Sequence, residues 1–441
     1  MRKILTATLI LTLILVIFIP VSLRASEISV TINGTAVEFD VPPFIVDGHT
    51  MVPLRPIAEA LRFYPEWQPE TQEIVLRGEI TLFLTIGSTE AHFARSLGFG
   101  GGEFGQLEIE VPPIIVDGRT FVPVRFIAES LDADVSWDGQ TRTVVITSTS
   151  TVTRVDLANQ DITDERLAEM VASGRIPANV THLDLRINKI SDISPLGGLV
   201  DLVELNLWGN QVSNVSPLGG LVDLTELNLW GNQVVDISTL GDLTNLTVFG
   251  LGDNPQFNGD ISVLSNFPKL TSLSLGGYQI SDFTALESLT NLENLSMWGV
   301  SGFTDFSVIG GLTNLTDLTI NGARIINFSA IGNLQNLTHF DLQFNQVQFD
   351  DVSLLFLGTL TNLTHLSLDG NQISNIRGLN GLTNLTHLSL RSNQIHNVAP
   401  LAGLTNLTYL NLLNNQIRDI TPLAGLTNLT QLTLSGNPIA D

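Results

Sequence analysis

The apolar residues follow a constant frame from Val180 to the end of the chain, L-x-x-L-x-L-x-x-N-x-I-x-x-I-x-x-L-x-x-L-x-x, which has 22 positions. Residues 385–406 show it plainly, LTHLSLRSNQIHNVAPLAGLTN. A fixed period in the twenties predicts a solenoid, in which each unit buries its apolar side against its neighbours. The frame starts twelve times, at Val180, Leu202, Leu224, Leu246, Leu270, Leu292, Leu315, Leu337, Leu363, Leu385, Leu407 and Leu429.

Alternation within the frame predicts the local structure of each unit. The leucines at positions 4 and 6 alternate with polar residues, which indicates a short strand with one buried face. Strands of successive units should stack in parallel on the concave side of the solenoid. Phrases such as SPLGGL and APLAGL are short and rich in glycine and proline, so they predict tight 3₁₀ turns and loops on the convex side.

Asparagine at position 9 predicts a ladder of side chains that bond backbone groups left unpaired where the chain turns. Tyr278, Val300 and Ala323 replace it in three central units, where the spacing is also irregular. We expect local rewiring or weaker order there. The ladder residues are Asn188, Asn210, Asn232, Asn254, Asn345, Asn371, Asn393, Asn415 and Asn437.

The frame resembles the leucine-rich repeat over some 260 residues. Its 22-residue length and the phrase LTNLTHL are most similar to the internalin group of bacterial surface proteins. This resemblance implies an α/β leucine-rich repeat solenoid that acts as a binding protein, and it does not name the partner. N-L-T recurs along the array as a by-product of the frame, and we do not expect it to be glycosylated.

The first 25 residues have the pattern of a secretory signal. Arg2 and Lys3 precede an uncharged, mostly apolar run at residues 4–19, and Pro20 and a small-residue exit follow. Cleavage after Ala25 is the preferred interpretation, and an uncleaved anchor remains the alternative.

Residues 26–150 contain a second repeat. The phrase VPPFIVDGHTMVPLRPIAEAL at residues 41–61 returns as VPPIIVDGRTFVPVRFIAESL at residues 111–131. Each copy predicts a strand, an Asp-Gly turn, a short strand, a helix and a closing hairpin. The region resembles the copper amine oxidase N-terminal-like domain in two copies, about 26–79 and 80–150, and so predicts a small α+β domain with an internal duplication.

Two features of this domain have competing interpretations. Arg55 and Arg125 recur before the helices, either as structural arginines with a buried stem that cap or pair across the module or as ligand-binding groups. We interpret the glycine-rich segment at residues 96–105 as a flexible turn, because it lacks the lysine and serine or threonine of a phosphate loop. Residues 151–179, including a predicted helix from Thr163 to Gly174, should cap the repeats at 180–441.

Charge and composition narrow the partners. The formal net charge is −24 and the chain has no cysteine, which argues against nucleic acid or an anionic membrane and excludes disulfides and thiolate metal sites. The histidines and single tyrosine of residues 26–150 do not suffice for a copper–quinone site, and no hydrolase motif occurs. We predict no enzyme activity, cofactor or metal, and we interpret the many acids, such as Asp192 and Asp236, as a solvated surface.

The solvent side of the strands carries the candidate binding residues. Tryptophans share position 7, and exposed aromatic residues dominate interface energetics and also suit sugar rings. Histidines share position 3 in three successive units, with His182 at that position in the first unit. A shared metal there is disfavoured because equivalent side chains of a solenoid project in parallel, although Asp341 and Asp369 lie on the same face. The candidates are Trp208, Trp230, Trp298, His339, His365, His387 and Tyr409.

These patterns favour an exported, non-catalytic bacterial adhesion protein, secreted or on the cell surface, that presents a concave face to a protein or glycan. The alternative is an envelope protein whose residues 26–150 bind cell-wall polymer and whose repeats act as a spacer or assembly surface. No apolar segment long enough to span a membrane follows the leader.

Overall fold

The computed structural model describes residues 28–439, apart from 62, 78–79, 97–101, 132, 149–152, 278 and 346–354. The leader prediction therefore lies outside the described residues, as does Tyr278. Contacts divide the chain into two compact units, with the main change between residues 150 and 151 and two short earlier segments grouped with the second unit. We call residues 28–148 the N-terminal domain and residues 153–439 the solenoid.

The N-terminal domain is built from three small sheets and two short helices. The helices are α1 (Leu54–Ala60) and α2 (Val124–Ser130), each directly after a proline that ends a strand. The strands are β1 (Ser29–Ile32), β2 (Thr35–Ala36), β3 (Phe44–Val46), β4 (His49–Pro53), β5 (Tyr64–Gln68), β6 (Glu73–Arg77), β7 (Ile80–Thr85), β8 (Glu90–Ser96), β9 (Gly102–Glu108), β10 (Ile114–Val116), β11 (Arg119–Pro123), β12 (Ala133–Asp138) and β13 (Thr143–Ser148).

Every sheet of this domain combines strands from both sequence copies, with each copy contributing one block of neighbouring strands. The sheet orders are β12-β13-β1-β2, β10-β11-β4-β3 and β5-β6-β7-β8-β9. Val122 of the second copy lies opposite Val52 of the first, and β1 runs parallel to β13. The Asp47-Gly48 and Asp117-Gly118 turns have positive φ at both residues, as a two-residue hairpin turn requires.

Two details of this domain differ from the sequence prediction. The segment interpreted as a flexible turn at residues 96–105 instead includes the start of β9, which begins at Gly102. Arg55 and Arg125 are largely exposed and pair weakly with Glu59 and Glu129 one turn along their own helices, so their stems are not buried.

The solenoid has one parallel sheet of 13 strands. Twelve belong to the repeats, and β14 of the N-terminal cap adds the thirteenth. Helix α3 (Asp164–Ala172) follows β14, and the Thr163 side chain accepts a hydrogen bond from the Arg166 N–H at its start. The strands are β14 (Arg154–Asp156), β15 (His182–Asp184), β16 (Glu204–Asn206), β17 (Glu226–Asn228), β18 (Val248–Gly250), β19 (Ser272–Gly276), β20 (Asn294–Trp298), β21 (Asp317–Asn321), β22 (His339–Asp341), β23 (His365–Ser367), β24 (His387–Ser389), β25 (Tyr409–Asn411) and β26 (Gln431–Thr433).

The return side of the units consists of short 3₁₀ turns, as predicted, such as Ser194–Gly198 and Thr421–Gly425. The apolar positions of the frame form one continuous core from Val155 to Leu426. Burial of leucine and isoleucine side chains against neighbouring units is the main source of stability, at about 1.5–3 kcal/mol for each fully buried side chain.

The asparagine ladder is present as predicted. The Asn232 amide donates to the carbonyls of Leu207 and Leu229, and its oxygen accepts from the Val212 N–H at 3.0 Å. Each such amide therefore joins two units through backbone groups that the turn would otherwise leave unpaired.

Three further ladders hold the turns. Threonine at position 2 donates to a carbonyl of the previous unit, as Thr247 does to Thr225. The asparagine of N-L-T also donates to the previous unit, as Asn384 does to Thr361 at 2.9 Å, so the triplet has a structural role. Asp or Asn near position 13 accepts from the N–H two residues later and caps the 3₁₀ turn. Capping residues include Asp192, Asn214, Asp236, Asp260, Asp282, Asp305, Asn327, Asn397 and Asp419.

The central units are rewired where the asparagine ladder is interrupted. Strands β19, β20 and β21 have five residues where the other solenoid strands have three, and the added pairs include Trp298 opposite Asn321. Val300 and Ala323 are buried in the core. The Asn345 oxygen accepts directly from the Ala323 N–H at 2.7 Å, whereas a regular ladder residue bonds two positions further along.

Candidate ligand-binding face

Side chains at positions 3, 5 and 7 of each unit lie on the side of the solenoid sheet away from the core. We call this surface the solvent face. Successive strands pair in register along it, so equivalent residues form rows, such as Glu204 beside Glu226 and His365 beside His387. Neighbouring strands lie about 4.8 Å apart, which sets the spacing of each row.

The three tryptophans of position 7 have different environments. Trp208 and Trp298 are 41% and 45% exposed. Trp230 is only half-exposed, because its ring lies over the backbone of Gly252 in the next unit, where a Cβ atom would be only 2.0 Å from the ring. Trp230 therefore has a packing role that the sequence did not reveal, whereas Trp208 and Trp298 are the more accessible pair.

The orientation of Trp298 is fixed by a hydrogen bond. Its indole N–H donates to the Ser296 hydroxyl at 2.8 Å, two residues earlier on the same strand. An ordered, exposed indole ring loses little conformational entropy when a partner covers it, and such residues are typical interface anchors.

The histidine row is a stack of parallel rings. His339, His365 and His387 have ring centroids 4.3 and 4.2 Å apart with interplanar angles of 16° and 13°, and Tyr409 follows at 5.8 Å. The sequence thus predicted a row that the structure forms. His182 lies at the other end of the sheet, 3.0 Å from Glu204, and does not join the stack.

Hydrogen bonds fix the tautomer of these rings. The Thr364 hydroxyl donates its single proton to the Thr338 carbonyl, so it can only accept from Nδ1 of His365 at 2.9 Å. The same arrangement repeats for His339 and His387. Each neutral imidazole therefore carries its proton on Nδ1 and keeps Nε2 as an acceptor nitrogen.

A shallow cavity of about 440 Å³ lies along the stack, lined also by Asp317, Asp341, Ser367 and Ser389. Burial raises the pKa of Asp341. Burial also lowers the pKa of His365, helped by His339 and His387 on either side. Within the described parts of the chain, no three side chains of metal-binding type are placed to hold one ion. The cavity is suited to a ligand that donates hydrogen bonds.

The N-terminal domain has a separate cavity of about 350 Å³ between strands of the two copies. His49 and Arg125 line it together with Trp137, which is exposed. His49 also contacts the carboxylate of Glu110. The sequence singled out Arg125 but gave no indication that it would share a cavity with His49 of the first copy, because that cavity forms only where strands of both copies come together.

The acidic residues of the return side are exposed, as the sequence predicted, and several of them also hold the turns through hydrogen bonds. Asp236 accepts from both the N–H and the hydroxyl of Ser238, and these bonds lower the pKa of its carboxyl. Hydrogen bonds likewise lower the pKa of Asp282 and Asp419. The signal available in the sequence was an Asp or Asn two residues before a serine, threonine or alanine at the start of each turn.

Comparison with known proteins agrees with this architecture. The family model described as copper amine oxidase N-terminal domain matches residues 31–146 and 103–170, and the leucine-rich repeat model matches residues 178–220, 361–403 and 405–441. A solved internalin from Listeria monocytogenes is 32% identical with a TM-score of 0.57, covering 66% of this chain and 82% of its own. The chain belongs to the internalin-like leucine-rich repeat proteins and carries a copper amine oxidase N-terminal domain.

Two other similarities are weaker, one in sequence identity and the other in the length that is matched. A leucine-rich repeat protein of Leptospira interrogans is 21% identical with a TM-score of 0.53, covering 66% of this chain and 91% of its own, and it shares the fold. A protease inhibitor of Brevibacillus choshinensis is 34% identical over 124 residues, which are 27% of this chain, and the match spans about a third of that protein. In the described residues, no helix is both long and apolar enough to cross a membrane.

Proposed function

We propose that this protein is an exported, non-catalytic binding protein that presents the solvent face of its repeat sheet to a protein or glycan partner at the bacterial surface. The observation that carries the proposal is the exposed pair of indole rings, Trp208 and Trp298, on a continuous sheet face, with the ring of Trp298 held by a hydrogen bond. The leader pattern and the internalin relationship support export. No catalytic role is assigned to any residue.

The test is the double substitution Trp208→Ala with Trp298→Ala in the full chain. Binding to glycan arrays and to panels of purified surface proteins is expected to fall at least about tenfold, because loss of an anchor residue costs more than about 1 kcal/mol. The melting temperature should stay unchanged, since neither ring is in the core. Binding equal to that of the unmodified chain would contradict the proposal.

Trp67→Ala with Trp137→Ala is the matched control, because these two tryptophans are equally exposed but lie in the N-terminal domain. It should leave binding by the solvent face intact.

The same control tests the second candidate function, in which residues 26–150 bind cell-wall polymer and the repeats act as a spacer. The cavity formed by Trp137, Arg125 and His49 favours it, because an aromatic ring beside polar groups suits a sugar. Sedimentation with purified cell wall would then be lost in the Trp67/Trp137 variant and retained in the Trp208/Trp298 variant. The reverse result would assign the wall interaction to the solvent face.

A further inference from the structure

Position 8 of the frame has a left-handed backbone throughout the solenoid, with positive φ from Asn159 in the cap to Gly436 in the last unit. Glycine occupies most of these positions, and Asn, Asp or Ser occupies several others, as that conformation favours. Two large apolar residues are the exceptions, Ile187 with φ 54° and Phe344 with φ 56°. A β-branched residue in this region is strained.

A contact within the solenoid accounts for the left-handed backbone of Phe344, and the corresponding contact of Ile187 is weaker. The Phe344 ring lies over Gly370, where a Cβ atom would be only 2.4 Å from it. A Cβ atom built on Gly209 would lie 3.6 Å from the Ile187 side chain, which is an ordinary contact distance. The Ile187 residue remains 45% exposed. Backbone strain at an apolar residue that stays 45% exposed indicates a role outside folding.

Ile187 borders Trp208. The N–H of Ile187 donates to the Trp208 carbonyl at 2.7 Å, so the two residues lie at the same edge of the sheet on adjacent units. Both are exposed, and together they form an apolar edge. Arg186 beside them is paired with Asp184 at 3.4 Å, so it adds no free positive charge.

A carboxylate with one unpaired oxygen, Glu226, lies beside this edge, and among the described residues its charge is compensated only by the more distant Arg154. Glu204 and Glu226 face each other at position 3, where like charges are unfavourable. His182 and Arg154 approach Glu204 at 3.0 and 3.8 Å, whereas Glu226 is followed by Val248. One oxygen of Glu226 is buried with no hydrogen-bond partner. Burial and the charge of Glu204 raise the pKa of Glu226.

Asn206 and Asn228 occupy position 5 between the apolar edge and the acidic row, whereas the unit of Ile187 has Asp184 at that position. Positions 3 and 7 are four residues apart along a strand, so the acidic row lies about 13 Å from Trp208. Residues 151–441 have 26 acidic and 10 basic side chains, a net charge of −16. This field attracts a positively charged partner.

We propose that this part of the solvent face binds an extended basic segment of a protein partner, with an apolar side chain against Ile187 and Trp208 and a lysine or arginine paired with Glu226. The inference rests on the proposed function and names its partner class. The pairing gives the buried oxygen of Glu226 a hydrogen-bond donor, and the contact covers the strained isoleucine.

The probe is a synthetic peptide of about twelve residues that alternates lysine with leucine, which spans about 40 Å when extended. A peptide of the same length that alternates glutamate with leucine is the control for the charge of the probe. The variants are Glu226→Gln and Ile187→Gly in the full chain. Glu287→Gln is the charge control, since Glu287 is exposed in the 3₁₀ turn Thr284–Ser288. Ser392→Gly is the backbone control, at another left-handed position.

We expect the lysine–leucine peptide to bind and the glutamate–leucine peptide not to bind. Glu226→Gln and Ile187→Gly should each weaken the affinity for the lysine–leucine peptide about tenfold. Ile187→Gly should melt at or above the temperature of the unmodified chain, because glycine relieves the strain. Both controls should bind as the unmodified chain does. A stability gain combined with a binding loss is an outcome that a packing role for Ile187 does not give.

Three results would overturn the inference. The two variants could bind normally, Glu287→Gln could weaken binding as much as Glu226→Gln, or Ile187→Gly could melt at a lower temperature. If the Trp208/Trp298 variant loses its partner in the array assay while these two variants do not, the proposed function stands and this inference fails. If none of the variants changes any binding, both fail.

Discussion

At the scale of single residues, the side-chain amide of one ladder asparagine hydrogen-bonds several backbone groups. Asn232 satisfies two carbonyls and one N–H, all buried between units, and its side chain is almost fully buried. The sequence predicted this role from spacing alone, because a polar residue at a fixed position in an apolar frame must find partners.

Asn232→Ala is therefore expected to destabilise the solenoid by about 1–3 kcal/mol, since it leaves buried backbone groups unpaired. The shift of the urea midpoint measures the change. Asn245→Ala is the control, because Asn245 is only half-buried and its amide donates to the carbonyl of the exposed Val222 at 2.9 Å. Equal shifts in the two variants would contradict the ladder as a source of stability.

The exposure of other single residues could not be predicted from the sequence. Trp208 and Trp230 occupy equivalent positions in near-identical units, yet one is exposed and the other covers Gly252. The difference arises from the residue in the next unit, glycine in place of tryptophan, which leaves room for the ring of Trp230. Equivalence in the frame therefore does not imply an equivalent environment.

At the scale of elements, parallel strands convert a sequence repeat into a physical stack. The three histidine rings lie 4.2–4.3 Å apart, close to the spacing between strands, so protonation would place like charges in contact. The charged groups that face them are Asp317, 3.3 Å from His339, together with Asp341 and Asp369 on the same face.

This stack predicts a loss of stability on mild acidification. The pKa of His365 is lowered, so the unfolded chain binds more protons than the folded chain as pH falls below about 6.5, and unfolding is favoured. Burial raises the pKa of Asp341 and Asp369, and this effect has the opposite sign, in the pH window between their ordinary value of 3.8 and the raised pKa.

The measurement is the melting temperature at about pH 7.5 and about pH 6.0. The unmodified chain should lose more than His365→Asn between these values. His396→Asn is the control, because His396 is exposed and outside the stack. A pH dependence that persists unchanged in His365→Asn would show that the stack does not cause it.

At the scale of the whole molecule, the solenoid and the N-terminal domain each have a hydrophobic core of their own. The solenoid core uses residues between Val155 and Leu426, and a separate cluster around Met51, Val111 and Phe121 lies in the N-terminal domain. We propose the domain boundaries of the sequence, 26–150, 151–179 and 180–441, on this basis.

Residues 153–439 expressed alone are therefore expected to fold and to melt cooperatively, because no residue of that core is removed. Circular dichroism and thermal melting would check this, and the fragment 28–148 provides the parallel case. A solenoid fragment that stays unfolded would show that its stability depends on the N-terminal domain.

The sequence by itself determined the solenoid, its strand positions, the asparagine ladder and the alternation that places the histidines on one face. These features depend on local periodicity, which fixes the direction of each side chain relative to its own strand. Only the tertiary structure decided how far Trp230 is covered, that Arg125 shares a cavity with His49 of the other copy and that one oxygen of Glu226 has no hydrogen-bond partner. Those outcomes depend on which residue of another unit or copy lies alongside, and a repeat frame carries no information about its own exceptions.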